Sequence, residues 1–105
     1  MVDADVLRST IERLVEQFRP ERVILFGSQA RGTADDRSDV DLLVICRDPG
    51  DRRTLMAAMD RCLRGLPVAT DIVVLTPEEF EMDRGIPGTV ARPAAREGRV
   101  LYERP

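Results

Sequence analysis

The segment 23–45 has the sequence VILFGSQARGTADDRSDVDLLVI, in which a polar stretch separates two short apolar runs. Short continuous apolar runs are typical of strands that are covered on both faces. We therefore predict one strand over 23–26 and a second over 40–45. Between them, Gly27-Ser28 predicts a turn into a short helix through Arg31, followed by a polar loop.

The rest of the chain alternates between helices and strands. Apolar spacing, caps and breakers predict helices over 5–18, 51–66 and from Thr76 onward, and a further helix over 89–97 that is kinked or broken by Pro93. The same signals predict strands over 68–75 and 100–102. The stretch 82–88 is predicted to be irregular. Strands that alternate with helices indicate an α/β (α+β) fold, a small mixed sheet of about four strands with helices packed on it. With 105 residues, we expect a single domain, 1–105.

Composition excludes several kinds of chemistry. The chain has no His, and all 16 basic residues are Arg, so neither an imidazole base nor a lysine Schiff base is available. The net charge is -3 and aromatic residues are 4% of the chain, which argues against direct nucleic-acid binding. Catalysis would therefore depend on carboxylates, Arg, Ser, Cys and backbone amides.

The cysteines and the N-terminus indicate compartment. Cys46 and Cys62 lie in apolar settings without metal-ligand spacing, and we predict two free thiols that pack as small apolar side chains. Residues 1–5 are acidic and contain no apolar signal segment. No apolar run is long enough to cross a bilayer, so we expect a soluble cytoplasmic protein without a membrane partner.

Asp39 and Asp41 are the first candidate site residues. Residues two apart in a strand point to the same face, so both carboxylates project together at the start of an apolar strand. A divalent cation relieves their repulsion, and all-oxygen ligands suit Mg²⁺. The alternative is that Asp39 belongs to a turn and Asp41 to a solvated strand end.

The Gly27-Ser28 turn is the second candidate. An apolar strand that turns through Gly-Ser into a helix presents backbone amides that suit a phosphate, and the Ser28 hydroxyl can donate to it. Arg31 lies three residues later, near the same helix face. Equally, Ser28 can be a plain helix cap and Arg31 a surface residue.

Asp71 is the third candidate, near the start of an otherwise apolar strand. If this strand neighbours 40–45, Asp71 can face Asp39 and Asp41 and serve as a general base. Three carboxylates beside a phosphate-binding turn suit phosphoryl or nucleotidyl transfer. The alternative is an ordinary strand-edge carboxylate.

The spacing of these residues forms a longer motif. Gly27-Ser28, ten intervening residues and Asp39-Val40-Asp41 resemble the signature of the minimal nucleotidyltransferases of the DNA polymerase beta superfamily, the MNT family. The surrounding G-S-x-A-R-G and S-D-x-D-L-L-V, Asp71, and the stretch 97–102 extend the resemblance over nearly the whole chain.

The resemblance implies a set of site residues. Gly27, Ser28, Arg31 and Ser38 would hold the triphosphate of ATP. Asp39, Asp41 and Asp71 would bind two Mg²⁺ ions, with Asp71 as the base.

The resemblance also implies a function and a partner. Many MNT proteins are antitoxins of helical HEPN-domain ribonucleases, and some attach AMP to a tyrosine of that toxin. We therefore expect Mg²⁺-dependent AMP transfer from ATP to a cognate HEPN-type toxin. The alternatives are an antitoxin that neutralises by contact alone and an enzyme that modifies a small molecule. The short chain implies that a partner protein or a second copy, as in a homodimer, supplies the acceptor surface.

Overall fold

A computed structural model describes residues 2–32 and 39–105 of the chain. Within these ranges, helices and strands follow the order that the sequence predicts. The elements are α1 (Ala4–Phe18), β1 (Arg22–Phe26), α2 (Ser28–Arg31), β2 (Val40–Ile45), α3 (Arg52–Cys62), β3 (Thr70–Leu75), α4 (Pro77–Asp83), α5 (Ala91–Glu97) and β4 (Arg99–Glu103).

The four strands form one mixed sheet in the order β3-β2-β1-β4. β1 is antiparallel to both β2 and β4, whereas β2 and β3 are parallel. The parallel pair is joined through α3, because parallel neighbours need a crossover connection. This arrangement confirms the predicted mixed sheet of four strands.

Helices cover both faces of the sheet. Leu14 of α1 and Met59 of α3 pack on one face with Leu42. Phe80 of α4 packs on the other with Leu43 and with residues of α5; we call this the α4–α5 face. The central strands β1 and β2 are therefore buried on both sides, as their continuous apolar runs predict.

Local capping explains where the first and fourth helices start. The Asp3 side chain accepts hydrogen bonds from the N–H groups of Asp5 and Val6 at the start of α1. Thr76 and Glu79 form a reciprocal capping box at the start of α4. Both starts agree with the sequence prediction, since these residues satisfy N–H groups that have no partner within the helix.

Two predicted boundaries around the α3–β3 connection were wrong. α3 ends at Cys62 rather than at residue 66, because Leu63 N–H and Arg64 N–H bond three residues back and tighten the chain into a turn. β3 starts at Thr70 rather than at residue 68, because Val68 N–H bonds to the Leu66 carbonyl inside that turn.

Two predictions about α4 and α5 were also wrong. The irregular stretch starts after Asp83, since α4 includes residues 82 and 83. Pro93 does not kink α5, because α5 begins at Ala91 and Pro93 lies in its first turn, where a missing N–H costs nothing.

Cys46 and Cys62 are free thiols; Cys46 is buried and Cys62 is half-buried. Within residues 2–32 and 39–105, no helix is long and apolar enough to span a membrane.

Candidate active site

The sheet register brings Asp41 and Asp71 side by side. Asp41 is the second residue of β2, Asp71 is the second residue of β3, and the two are paired directly in the parallel ladder. By strand alternation, Asp41 shares the α4–α5 face with Leu43, and Asp71 shares it with Val73. Asp39 immediately precedes β2 and is exposed. The strand adjacency on which the predicted approach of Asp71 to Asp41 depends is therefore present.

Gly27 forms the turn between β1 and α2 and contacts Asp41. Its backbone has φ 74° and ψ -156°, a conformation that is essentially restricted to glycine. A Cβ placed on Gly27 would overlap a carboxylate oxygen of Asp41 and lie 3.2 Å from its Cγ. This close approach requires glycine at position 27 and places the Asp41 carboxylate against the turn.

Asp41 is half-buried in a negatively charged setting. Burial raises the pKa of its carboxyl above the ordinary value, and the neighbouring Asp71 and Asp39 raise it further. The Arg31 guanidinium opposes this effect. The charge balance around Asp41 therefore favours the arrival of a cation or a proton.

Arg31 is the last residue of α2 and forms an ion pair that the sequence did not predict. Its Nη1 donates to Glu97 Oε2 at 3.3 Å. Ser28 is the first residue of α2 and is half-buried beside Gly27. Ser38 lies outside the residues that the structure describes.

The donor set of the three aspartates fits a hard divalent cation. All three side chains offer only carboxylate oxygens, the ligands that Mg²⁺ prefers. Among the described residues, no three His, Cys, Asp or Glu side chains are already gathered closely enough to hold a metal ion. Asp41 contacts Gly27, whereas Asp39 and Asp71 are exposed, so joint coordination would require the three carboxylates to come closer together.

Sequence reasoning missed two residues near this site. Glu97 pairs with Arg31 across 66 positions, and only its place in the C-terminal motif drew attention to it. Gln29, in the second position of α2, is 3% exposed and accepts a hydrogen bond from Val2 N–H. The signal available in the sequence was the polar residue Gln29 itself, between Ser28 and Ala30. If its amide is buried, it needs hydrogen-bond partners.

Comparison with known proteins decides the family. A family model described as a nucleotidyltransferase domain matches residues 7–99. The chain belongs to this nucleotidyltransferase family. A solved minimal nucleotidyltransferase shares 31% sequence identity with it, covers 93% of this chain and 95% of its own length, and superposes with a TM-score of 0.62. The predicted family is thereby confirmed.

Other matches are more distant or partial. A nucleotidyltransferase structure from Sulfolobus solfataricus has a TM-score of 0.65 at 24% identity, over 95% of this chain and 79% of that one. A toxin–antitoxin structure with AMP-PNP has a TM-score of 0.69 at 19% identity, over 98% and 75%. At 24% and 19% sequence identity, these two similarities show the fold of this nucleotidyltransferase and nothing more.

A curated relative is similar over part of its length. A Methanocaldococcus jannaschii protein, whose name proposes protein adenylyltransferase activity, is 43% identical over 51 residues. The match covers 47% of this nucleotidyltransferase and 35% of that protein. The chain therefore aligns with about a third of the length of this relative.

Proposed function

We propose that this chain transfers a nucleoside monophosphate from a nucleoside triphosphate to a hydroxyl group and releases pyrophosphate. The observation that carries the proposal is the pairing of Asp41 with Asp71 beside the Gly27 turn. This arrangement places two neighbouring carboxylates against the turn that leads from β1 into α2. Membership of the nucleotidyltransferase family supports the same reaction class.

The turn and its helix would hold the triphosphate. Backbone N–H groups at the start of α2 can donate to phosphate oxygens, and so can the Ser28 hydroxyl. The Arg31 guanidinium adds charge-assisted hydrogen bonds. Ser38, the fourth residue that we assign to nucleotide binding, enters the proposal through its place in the family motif.

The carboxylates would hold two Mg²⁺ ions and move a proton. Asp41 would contribute a fixed ligand, and Asp39 and Asp71 would complete the set from the exposed side. When bound, the metal ions neutralise phosphate charge and stabilise the attacking and leaving oxygens. Because Asp71 is exposed, an acceptor hydroxyl can reach it and transfer its proton to the carboxylate.

The donor and acceptor follow from the family pattern. We propose ATP as the donor, and as the acceptor a hydroxyl, in particular a tyrosine, of a cognate HEPN-type toxin in the cytoplasm, which makes this chain an antitoxin. The name of the Methanocaldococcus relative proposes a protein acceptor. A toxin–antitoxin structure with AMP-PNP has the same fold. Both observations support the proposal.

Intact-mass spectrometry of the helical protein encoded beside this gene tests the proposal. That protein is incubated with this chain, ATP and Mg²⁺. The inactive variant carries Asp39→Asn with Asp41→Asn. A matched variant carries Asp48→Asn with Asp60→Asn, which removes two charges from exposed positions of other segments.

Each outcome has a distinct meaning. The proposal predicts a gain of one or more AMP units with wild type and the matched variant, and none with the inactive variant. Neutralised toxicity without a mass gain would contradict transfer and indicate an antitoxin that acts by contact alone. If neither neutralisation nor a mass gain occurs, the antitoxin role is wrong, and a screen of small-molecule hydroxyl acceptors decides whether any transfer remains.

A further inference from the structure

Arg31 forms an ion pair with Glu97 and lies in the short helix that begins at the Gly27 turn. Its Nη1 contacts Glu97 Oε2 at 3.3 Å, and its charge acts on Asp41. A guanidinium carries five N–H donors in a fixed plane, so this contact leaves further donors for other oxygens. Arg31 therefore connects the end of α5 with the helix that begins at the Gly27 turn, and this turn contacts Asp41.

The end of α5 is rigidly attached to the sheet. Gly98 N–H donates to the Ala94 carbonyl at 3.1 Å. A Cβ on Gly98 would overlap that carbonyl and lie 2.6 Å from Cγ2 of Ile24. The next residue, Arg99, is paired with Leu25 of β1. Glu97 is thus fixed relative to β1.

The same strand also fixes Arg31. β1 continues through Gly27 directly into α2, and both Ala30 N–H and Arg31 N–H bond to the Gly27 carbonyl at 3.1 Å. Arg31 and Glu97 therefore approach each other from two segments anchored to one strand. This geometry makes their contact reproducible, although both side chains are about half-exposed.

We propose that Glu97 is a positioning residue for nucleotide binding, which orients the Arg31 guanidinium toward the triphosphate. The proposal rests on the proposed nucleotidyltransferase function and assigns it a residue outside the Gly-Ser and aspartate motifs. Loss of Glu97 is therefore expected to weaken nucleotide binding. Thermal stability should stay nearly unchanged, because exposed ion pairs contribute little to folding stability.

A double-mutant cycle tests this proposal. Calorimetry measures the dissociation constant of a non-hydrolysable ATP analogue with Mg²⁺ for wild type, Glu97→Ala, Arg31→Ala and the double variant. We expect weakening of about two- to fivefold for Glu97→Ala and about tenfold or more for Arg31→Ala. In the Arg31→Ala background, Glu97→Ala should have no further effect.

Two further variants sharpen the test. Glu97→Gln keeps an acceptor atom without the charge and should give an intermediate loss. Glu81→Ala removes a comparable exposed ion pair, in which Arg84 Nη1 lies 3.0 Å from Glu81 Oε1, and should leave the dissociation constant unchanged.

The contradicting results are equally specific. If Glu97→Ala binds as tightly as wild type, or weakens binding by the same factor with and without Arg31, Glu97 does not act through Arg31. If wild type itself does not bind the analogue, the proposed function fails and the positioning role with it. Wild-type binding therefore separates the failure of this inference from the failure of the proposed function.

Discussion

Asp41 lowers the stability of the fold when it is ionised, and it has a proposed role in catalysis. Burial, Asp71 and Asp39 raise the pKa of its carboxyl. A raised pKa means that ionised Asp41 weakens the fold at neutral pH. This destabilisation is relieved as the pH falls through the raised pKa and is absent below the ordinary value of 3.8. An uncharged side chain at this position would therefore suit the fold better.

Asp41→Asn should therefore stabilise the protein and remove its activity. The amide has the same shape without the charge, so we expect Tm to rise by about 2–5 °C near neutral pH without metal. Asp48→Asn, an exposed carboxylate beyond the end of β2, should change Tm by less than about 1 °C. Thermal denaturation measures both, and a lower Tm for Asp41→Asn would refute this view of the site.

Gly27 and Gly32 form a matched pair for testing the turn. Both have positive φ, at 74° and 75°, but a Cβ on Gly32 meets nothing within 4 Å whereas one on Gly27 overlaps Asp41. We expect Gly32→Ala to cost about 1 kcal/mol and Gly27→Ala about 2–3 kcal/mol. Urea denaturation measures the free energy of unfolding, and equal costs would show that Asp41 does not depend on this glycine.

At this scale, the sequence predicts residues that belong to one local pattern. Asp39, Asp41 and Gly27-Ser28 follow from strand alternation and from a turn within one short segment. Glu97 could not be predicted, because its contact with Arg31 spans 66 positions and depends on how α5 packs against β1. Pairwise contacts between distant exposed side chains have no periodic signature in the sequence.

Among the elements, α4 begins with a reciprocal capping box. Thr76 N–H donates to Glu79 Oε1 at 2.8 Å, and Glu79 N–H donates to Thr76 Oγ1 at 3.2 Å. Arg52 of α3 forms an ion pair with Glu79, in which Arg52 Nη1 lies 2.7 Å from Glu79 Oε1. The hydrogen bond from Arg52, followed by that from the Thr76 backbone, lowers the pKa of the Glu79 carboxyl.

Glu79→Gln should destabilise the protein in a pH-dependent way. Since the folded pKa is lowered, ionised Glu79 stabilises the fold above its ordinary pKa of 4.5, and this stabilisation is lost as the pH falls through the lowered value. For a partly exposed pair we expect a loss of about 1 kcal/mol near pH 7.

The pH series itself provides the control. The difference in free energy of unfolding between wild type and Glu79→Gln should shrink steadily on acidification. At pH 7 it should exceed the difference for Glu78→Gln, an exposed neighbour in the same first turn. A difference for Glu79→Gln that grows toward low pH would show that the carboxylate is not stabilised by its partners.

Element starts are more predictable than element ends in this chain. The Thr76-Pro77-Glu78-Glu79 pattern determines the start of α4 because its hydrogen bonds are local. The end of α3 was predicted too late, since Leu63 and Leu66 continue the apolar character while the backbone has already turned. Pro93 was interpreted as a kink because the sequence does not reveal that α5 begins only at Ala91.

For the whole molecule, the sequence predicts the fold class but not the strand order. Alternation of strands and helices indicates a covered mixed sheet, whereas the order β3-β2-β1-β4 depends on long-range pairing. That order creates the site: β2 lies between β1 and β3, so Asp41 meets both the Gly27 turn and Asp71. The candidate site is therefore a product of topology acting on a motif that the sequence already contains.

The central claim is that this end of the sheet forms one metal-dependent nucleotide site. Calorimetric titration of a non-hydrolysable ATP analogue, with and without Mg²⁺, tests it most directly. We expect binding by wild type and by Asp48→Asn with Asp60→Asn only when Mg²⁺ is present, and a loss of about tenfold or more for Asp39→Asn with Asp41→Asn. Equal binding by all three proteins, or binding that ignores Mg²⁺, would contradict it.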